Sequence, residues 1–341
     1  LINYMSVSSN DELKQWLELH NITEVECIFP DMAGSSKGKI LPVNRFIKSV
    51  EDQSLKLADS VLGQTVSGSW IHESDVIDYV EEDVIMIPDL STIRKIPWNK
   101  EPTAQIICDL YYNSVSPSDI APRQILKNII KTLSEENMEA VVAPELEFYL
   151  CEQNLDPDLP LKTPVGKSGR REMSSQAFGV DAVNEFDKIT DDIYDYCESL
   201  GIGVDTLVHE SGPAQIEINL NHGNPLQLAD QAFMFKRAVR QVALKHGVHA
   251  TFMAKPYSSQ PGSSMHIHQN LISTKTKENL FSDKEGNNTN LFLNYIGGLQ
   301  QYLPDAMLFF APYVNSYRRF VIDASAPINT HWGLENRTVG F

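Results

Sequence analysis

What most restricts the fold of this chain is one pattern met three times: a short segment alternating polar and apolar residues, with cation-binding groups at the polar positions. Glu145-Leu146-Glu147-Phe148-Tyr149 sets Glu145 and Glu147 on one face of a strand and Leu146 and Phe148 on the other. Gln215-Ile216-Glu217-Ile218-Asn219 repeats the division, and Met265-His266-Ile267-His268-Gln269-Asn270 puts His266, His268 and Asn270 together. One such segment alone is an ordinary half-exposed strand. Three of them point to a shared polar site above a common apolar core.

Carboxylates gathered this closely repel one another unless a cation compensates them, so the cluster implies divalent ions. Several Glu oxygens with imidazole and no thiolate suit Mg²⁺ or Mn²⁺ better than zinc. Glu210, seven residues before Glu217 across the Gly212-Pro213 turn, can return to the same pocket. As a bare pattern this also fits a metallohydrolase. Arg318, Arg319 and Arg337 supply the opposite charge downstream, and guanidinium groups beside a metal cluster are what phosphoryl transfer requires. The chain has neither a G-x-x-x-x-G-K-[ST] loop nor a G-x-G-x-x-G helix start, so phosphates would be held by metals and arginines.

The rest of the chain frames this site. Its 341 residues favour two domains. Ser9-Asn10-Asp11-Glu12 starts a short amphipathic helix with Leu13, Trp16 and Leu17 inside. Val25, Cys27 and Phe29 alternate with polar residues in a strand that stops at Pro30-Asp31, and Thr103 to Tyr112 is another strand. A small sheet-rich domain therefore runs to about Ser116. Pro122 opens a helix with Ile125, Leu126, Ile129, Ile130 and Leu133 on one face. Beyond it, strands at about 141–150, 215–220 and 265–271 and helices at about 187–201 and 226–247 make a mixed α+β domain, with a polar surface excursion over 273–290. The formal net charge of −17, from 45 acidic against 28 basic side chains, argues against nucleic acid as a partner. The four cysteines are scattered without C-x-x-C spacing and no apolar run approaches a membrane span, so the expectation is a cytoplasmic chain with no membrane partner.

Taken in order, the segments resemble the glutamine synthetase superfamily. The resemblance is carried by Pro144-Glu145-Leu146-Glu147-Phe148, His209-Glu210-Ser211-Gly212-Pro213-Ala214-Gln215-Ile216-Glu217, Lys255-Pro256, Gly262-Ser263-Ser264-Met265-His266-Ile267-His268, Asn315-Ser316-Tyr317-Arg318-Arg319 and Asn336-Arg337. Asp31-Met32-Ala33-Gly34 to Gly38-Lys39 is similar to the family's small β-grasp domain, which implies such a domain over 1–116 and a catalytic domain, an antiparallel sheet with helices, over 117–341. The resemblance implies that Glu147, Glu210 and Glu217 hold one metal and Glu145 and His266 a second. It implies that His268, Asn270 and Arg337 face ATP, that Gly262 and Arg319 bind the substrate glutamate, and that Arg319 and Arg337 are the catalytic arginines. It also implies a γ-glutamyl phosphate attacked by an amine, a homododecamer of stacked rings, and, beyond Phe341, a further arginine, a last Glu ligand and a helical segment.

Five departures bear on the substrate and the turns. Ser264 and Ala214 stand where the family usually has Gly, and Pro261 where glutamine synthetases usually have Asn. Ser325 stands where enzymes that make glutamine place a Glu that closes over the site and helps take a proton from ammonium, and no acid stands near Thr65, where they keep an Asp. Losing these anions leaves ammonium poorly held. With His249 to Pro256 and Asn315 to Phe320 most similar to the γ-glutamylputrescine synthetase branch, the expected nucleophile is an organic amine such as a polyamine. Glutamine synthetase proper and a non-catalytic structural or regulatory member are the alternatives.

Overall fold

The computed structural model describes residues 7–65, 67–70, 82–156, 158–322, 326–336 and 339–341. In chain order its elements are α1 Asn10–Leu19, β1 Glu24–Pro30, β2 Ser36–Pro42, α2 Val43–Asp52, β3 Lys56–Ala58, β4 Asp83–Pro88, β5 Arg94–Lys95, β6 Thr103–Tyr111, α3 Pro122–Glu135 and β7 Met138–Glu152. There follow α4 Val180–Asn184, α5 Asp187–Leu200, β8 Val204–His209, β9 Gln215–Leu220, α6 Pro225–Lys245, β10 Val248–Thr251, β11 Met265–Ser273, α7 Asn290–Tyr302 and α8 Met307–Phe310. The packing divides into one unit of Leu1–Thr132, Asp195–Ile202 and Ala229–Met234, and a second of Leu133–Tyr194, Gly203–Leu228 and Phe235–Phe341.

The first unit is built on the sheet β2-β1-β6-β4-β3, with β5 also on β6. Helix α1 begins as its sequence dictates. Ser9 Oγ accepts from Glu12 N–H at 3.3 Å, Glu12 reaches back to Ser8 N–H at 2.7 Å, and Leu13, Trp16 and Leu17 are buried. Strand β1 differs from its expected half-exposed pattern, because Val25 to Phe29 are all buried, Glu26 among them. It is hydrogen-bonded to β2 and β6 on its two edges, and residues of both its faces are buried. Helix α3 also departs from expectation: Ile125 and Ile129 are 41% and 55% exposed, and the buried residue of the helix is Arg123. Its guanidinium donates to Asp89 and Asp109 at 2.6 Å each and to Asp230 at 2.9 and 3.0 Å, satisfying a charge that burial would otherwise penalise.

The second unit carries the sheet β10-β7-β9-β8, with β11 also on β7. All these pairings are antiparallel, and β7 is its long axis: β9 lies along one edge, while β11 and β10 share the other, β11 from Met138 to Leu146 and β10 from Tyr149 to Glu152. The apolar face predicted from the alternation is buried on β7 and β9, whereas on β11 Met265 and Ile267 are exposed. Leu146, Phe148 and Leu150 on β7 and Ile216, Ile218 and Leu220 on β9 are all at most 2% exposed, and the Phe148 ring meets Phe235 of α6 and Phe252 at centroid distances of 6.5 and 5.3 Å. The segment after β11 is a run of turns pinned by the isolated bridges Ile272↔Asn279 and Ser282↔Asn288. No described helix is long and apolar enough to cross a membrane. The four cysteines are free and buried.

Candidate active site

Strand register brings the polar positions of the three segments onto one surface. Glu145 of β7 stands opposite Asn219 of β9 on one side and His266 of β11 on the other, and Glu147 stands opposite Glu217. Residues directly opposite share a face of the sheet, so the alternation seen in sequence becomes a patch of carboxylates and imidazoles. Asn219 Nδ2 donates to Glu145 Oε1 at 3.0 Å, His268 Nε2 lies 2.8 Å from the same oxygen, and His266 Nδ1 lies 3.2 Å from Oε2. A carboxylate only accepts, so both imidazoles present N–H to Glu145. Among the described residues, Glu145, Glu217 and His266 offer ligand atoms that all lie within 4.8 Å of one another.

Glu147 is placed differently from its neighbour on the same strand. It is buried at 8% exposure, and its carboxylate accepts from Ser264 N–H at 3.1 Å, from the Ser264 hydroxyl, and from Gln215 Nε2 at 3.2 Å. Burial pushes its pKa up, the Ser264 donors pull it down, and the charge of Glu210 adds to the rise. Burial, followed by the charges of Glu145, Glu210 and Glu147, pushes Glu217 up to about 7. The carboxylates therefore occupy one electrostatic neighbourhood, and the structure draws Glu217 tightest to Glu145 and His266. Half-buried, mutually repelling oxygens with one imidazole and no sulfur are a donor set that a hard dication fits. The buried Asn219 Oδ1, without a hydrogen-bond partner on the same face, adds a further oxygen of the same kind.

Glu210 lies in the turn from β8 to β9. Its N–H donates to Gln215 O at 2.9 Å, and Gln215 Oε1 receives Gly212 N–H at 2.9 Å, so Gln215 braces both this turn and Glu147. Ala214, in the middle of the turn, has φ +56 and is fully buried, which explains why a residue without a side chain suits the position.

Gly262 and Arg319 are brought into contact. A Cβ on Gly262 would lie 2.5 Å from both the Ala254 carbonyl oxygen and Arg319 Nε, so only glycine leaves the guanidinium its seat. Arg319 Nη1 donates to Ser263 O at 2.8 Å, while its buried Nε has no hydrogen-bond partner. Burial lowers the pKa of this arginine, and the charge of Glu147 opposes that shift. Asn270 lies on β11 at the same parity as His266 and His268, and its Oδ1 accepts from Leu271 N–H at 2.9 Å. Arg337 and Ser325 lie outside the described residues. Thr65 sits in a turn whose hydroxyl accepts from Ser69 N–H at 3.0 Å.

Sequence reasoning missed three members of this neighbourhood. Ser264, which stands where the family usually has Gly, supplies two of the bonds to Glu147. His209 and Glu172, which meet at 3.1 Å beneath the Glu210 turn, gave no periodic signal, because Glu172 comes from an irregular loop.

Comparison with known proteins adds the family context. Residues 119–341 match the family described as glutamine synthetase, catalytic domain. The chain is 34% identical over 332 residues to γ-glutamylputrescine synthetase of Escherichia coli (strain K12), covering 96% of this chain and 70% of that protein. It is 32% identical over 334 residues to glutamine synthetase of Methanocaldococcus jannaschii, covering 95% and 69%. It is 29% identical over 337 residues to glutamate–isopropylamine ligase of Pseudomonas sp, covering 96% and 72%. Among solved structures, a GmaS–ADP complex superimposes with a TM-score of 0.77 at 24% identity, covering 96% of this chain and 72% of that one, which shows the shared fold.

Proposed function

The chain belongs to the glutamine synthetase family and is a glutamate–amine or glutamate–ammonia ligase driven by ATP, and from that premise we propose that its nucleophile is an organic amine of the putrescine type. The observation that carries the reaction class is the sheet face on which Glu145, Glu217 and His266 offer ligand atoms within 4.8 Å of one another. In this reading Glu145 and His266 hold one Mg²⁺ or Mn²⁺ and Glu147, Glu210 and Glu217 another. Bound there, such ions supply positive charge to the phosphate oxygens of ATP and to the acceptor carboxylate. The chain's own residues do the positioning. Arg319, seated against Gly262, holds the carboxylate of glutamate. His268 and Asn270, together with Arg337, face the nucleotide, and Arg319 and Arg337 stabilise the transferring phosphoryl group.

The choice of an organic amine rests on Ser325 in place of an acid, on the lack of an acid near Thr65, and on similarity to two ligases whose names specify organic amines. A carboxylate over the site would attract ammonium and accept its proton, whereas a hydroxyl carries no charge. The 32% identity to an archaeal glutamine synthetase favours ammonium as the second reading. Phosphate release from ATP, measured with glutamate and either ammonium or a panel of mono- and diamines, separates the two. Release that depends on an organic amine supports the proposal; release with ammonium alone returns the enzyme to glutamine synthesis, and none with any nucleophile leaves a non-catalytic member.

The N-terminal region, 1–116, is read as a β-grasp-like domain preceding a catalytic domain at 117–341. The β1–β2 hairpin, the helix α2 that follows it and the parallel pairing of β6 with β1 support that reading, as does a family match beginning at residue 119. Assembly into a homododecamer of stacked rings in the cytoplasm is proposed on the family resemblance, and light scattering on the active enzyme tests the assembly.

A further inference from the structure

The turn that presents Glu210 is gripped from outside the site. Glu172, in the loop between β7 and α4, accepts the Ala214 N–H at its Oε2 at 2.9 Å, and the same oxygen lies 3.1 Å from His209 Nε2. The other ring nitrogen, Nδ1, lies 2.7 Å from the carbonyl oxygen of Glu210. Carbonyl and carboxylate oxygens only accept, so both nitrogens donate and His209 is the imidazolium. The pair is shielded from water, with the His209 side chain 0% and that of Glu172 11% exposed. Thus one carboxylate holds the residue before Glu210 through an ion pair and, four residues after Glu210, the N–H of Ala214. Ala214 needs such a hold: at φ +56 it occupies the left-handed region, where a Cβ is unfavourable. Glu172 is itself fixed, since its carbonyl accepts from Thr163 Oγ1 at 2.8 Å and the adjacent Arg171 pairs with Glu152 at the end of β7.

We propose that Glu172 is a positioning residue for the Glu210 carboxylate, acting through His209 and Ala214 and touching neither substrate nor metal. The inference rests on the reading of Glu210 as a metal ligand. Partners that orient a ligand from behind change metal affinity when they are removed, roughly 10- to 100-fold in other sites of this design. Glu172→Ala should therefore weaken Mn²⁺ binding by about that factor. Glu172→Gln, whose amide oxygen can still accept from Ala214 and His209, should restore most of it. Adding Ala214→Gly to Glu172→Ala should restore part, because glycine adopts the left-handed conformation without strain.

The experiment is Mn²⁺ titration of the full chain by electron paramagnetic resonance, with kcat and KM measured in parallel on wild type, the three variants above and Glu210→Ala. Mn²⁺ affinity equal to wild type in Glu172→Ala, or a loss that neither Glu172→Gln nor Ala214→Gly reduces, overturns the proposal. If Glu172→Ala does not fold, Glu172→Asp replaces it: its shorter side chain withdraws the carboxylate from both partners, the same loss is expected, and unchanged affinity overturns the idea. Failure of the underlying reading looks different, since Glu210→Ala would then bind Mn²⁺ as tightly as wild type whatever Glu172 does.

Discussion

Glu147 and Glu217 stand directly opposite each other across β7 and β9, two carboxylates where a sheet interior would ordinarily pair apolar side chains. Ser264 and Gln215 satisfy Glu147, but Glu217 meets the charges of Glu145, Glu210 and Glu147 and is pushed up to about 7. The site is therefore electrostatically incomplete by itself, and its stability should depend on both protons and metal.

The pH dependence has a definite sign. The folded pKa of Glu217, about 7, lies above its ordinary value of 4.5, so between those limits the folded state binds more protons than the unfolded one. Stability of the chelator-treated protein should then rise as pH falls from 8 towards 6. Thermal melts in EDTA should show a higher Tm at pH 6 than at pH 8, and Glu217→Gln should reduce the difference. A melt in which Glu217→Gln keeps the full pH difference would assign it to other groups.

Metal should substitute for the proton. Mg²⁺ or Mn²⁺ bound to the native state alone stabilises it by mass action, roughly 2.7 kcal/mol at a concentration a hundred times Kd. Saturating metal should raise the Tm of wild type at pH 8, and Glu147→Ala should lose most of that rise. No rise in either protein would mean that the cluster is not a metal site.

Gly262 should tolerate no side chain. A Cβ would lie 2.5 Å from Arg319 Nε and from the Ala254 carbonyl, and the backbone oxygen cannot move aside as a flexible side chain could. Displacement of a substrate-holding arginine by about 1 Å costs on the order of 10²-fold. Gly262→Ala should lower kcat/KM for glutamate by that order with the fold intact, as judged by circular dichroism. Wild-type kinetics in this variant would remove Arg319 from the glutamate site.

Arg123 tests the first unit independently of the chemistry. Its removal leaves Asp89, Asp109 and Asp230 without their shared cation, and breaking a buried ion pair from one side costs about 3–5 kcal/mol. Arg123→Ala should show that loss in urea unfolding. A change within about 0.5 kcal/mol, the range of an ordinary surface substitution, would show the network to be dispensable.

The second sheet was legible in the sequence because β7 and β9 are covered on one side by apolar packing, so the period of two survives there as an alternation of residue types; β11 keeps the alternation although its Met265 and Ile267 are exposed. The burial of strand β1 on both faces was not legible, because the alternation of Val25, Cys27 and Phe29 with other residues does not tell that the opposite face, with Glu26, is covered as well. Of the apolar face expected on α3, Leu126, Ile130 and Leu133 are half-buried and Ile125 and Ile129 exposed, while the buried residue is Arg123, whose ion network with Asp89, Asp109 and Asp230 has no periodic trace. The site ligands were visible for the reason the sheet was. Their supports were not: Ser264 lies in the irregular segment before β11 and Glu172 in an irregular loop, where neither spacing nor residue type announces a contact.

The central claim is that an organic amine is the preferred nucleophile, and initial rates with ammonium, monoamines and diamines for wild type and Ser325→Glu test it most directly. Positioned proton transfer contributes roughly 10²- to 10⁴-fold, so wild type should prefer its best amine over ammonium by that order in kcat/KM. Ser325→Glu should gain ammonium-dependent activity. Equal or better use of ammonium than of every organic amine by wild type would contradict the account.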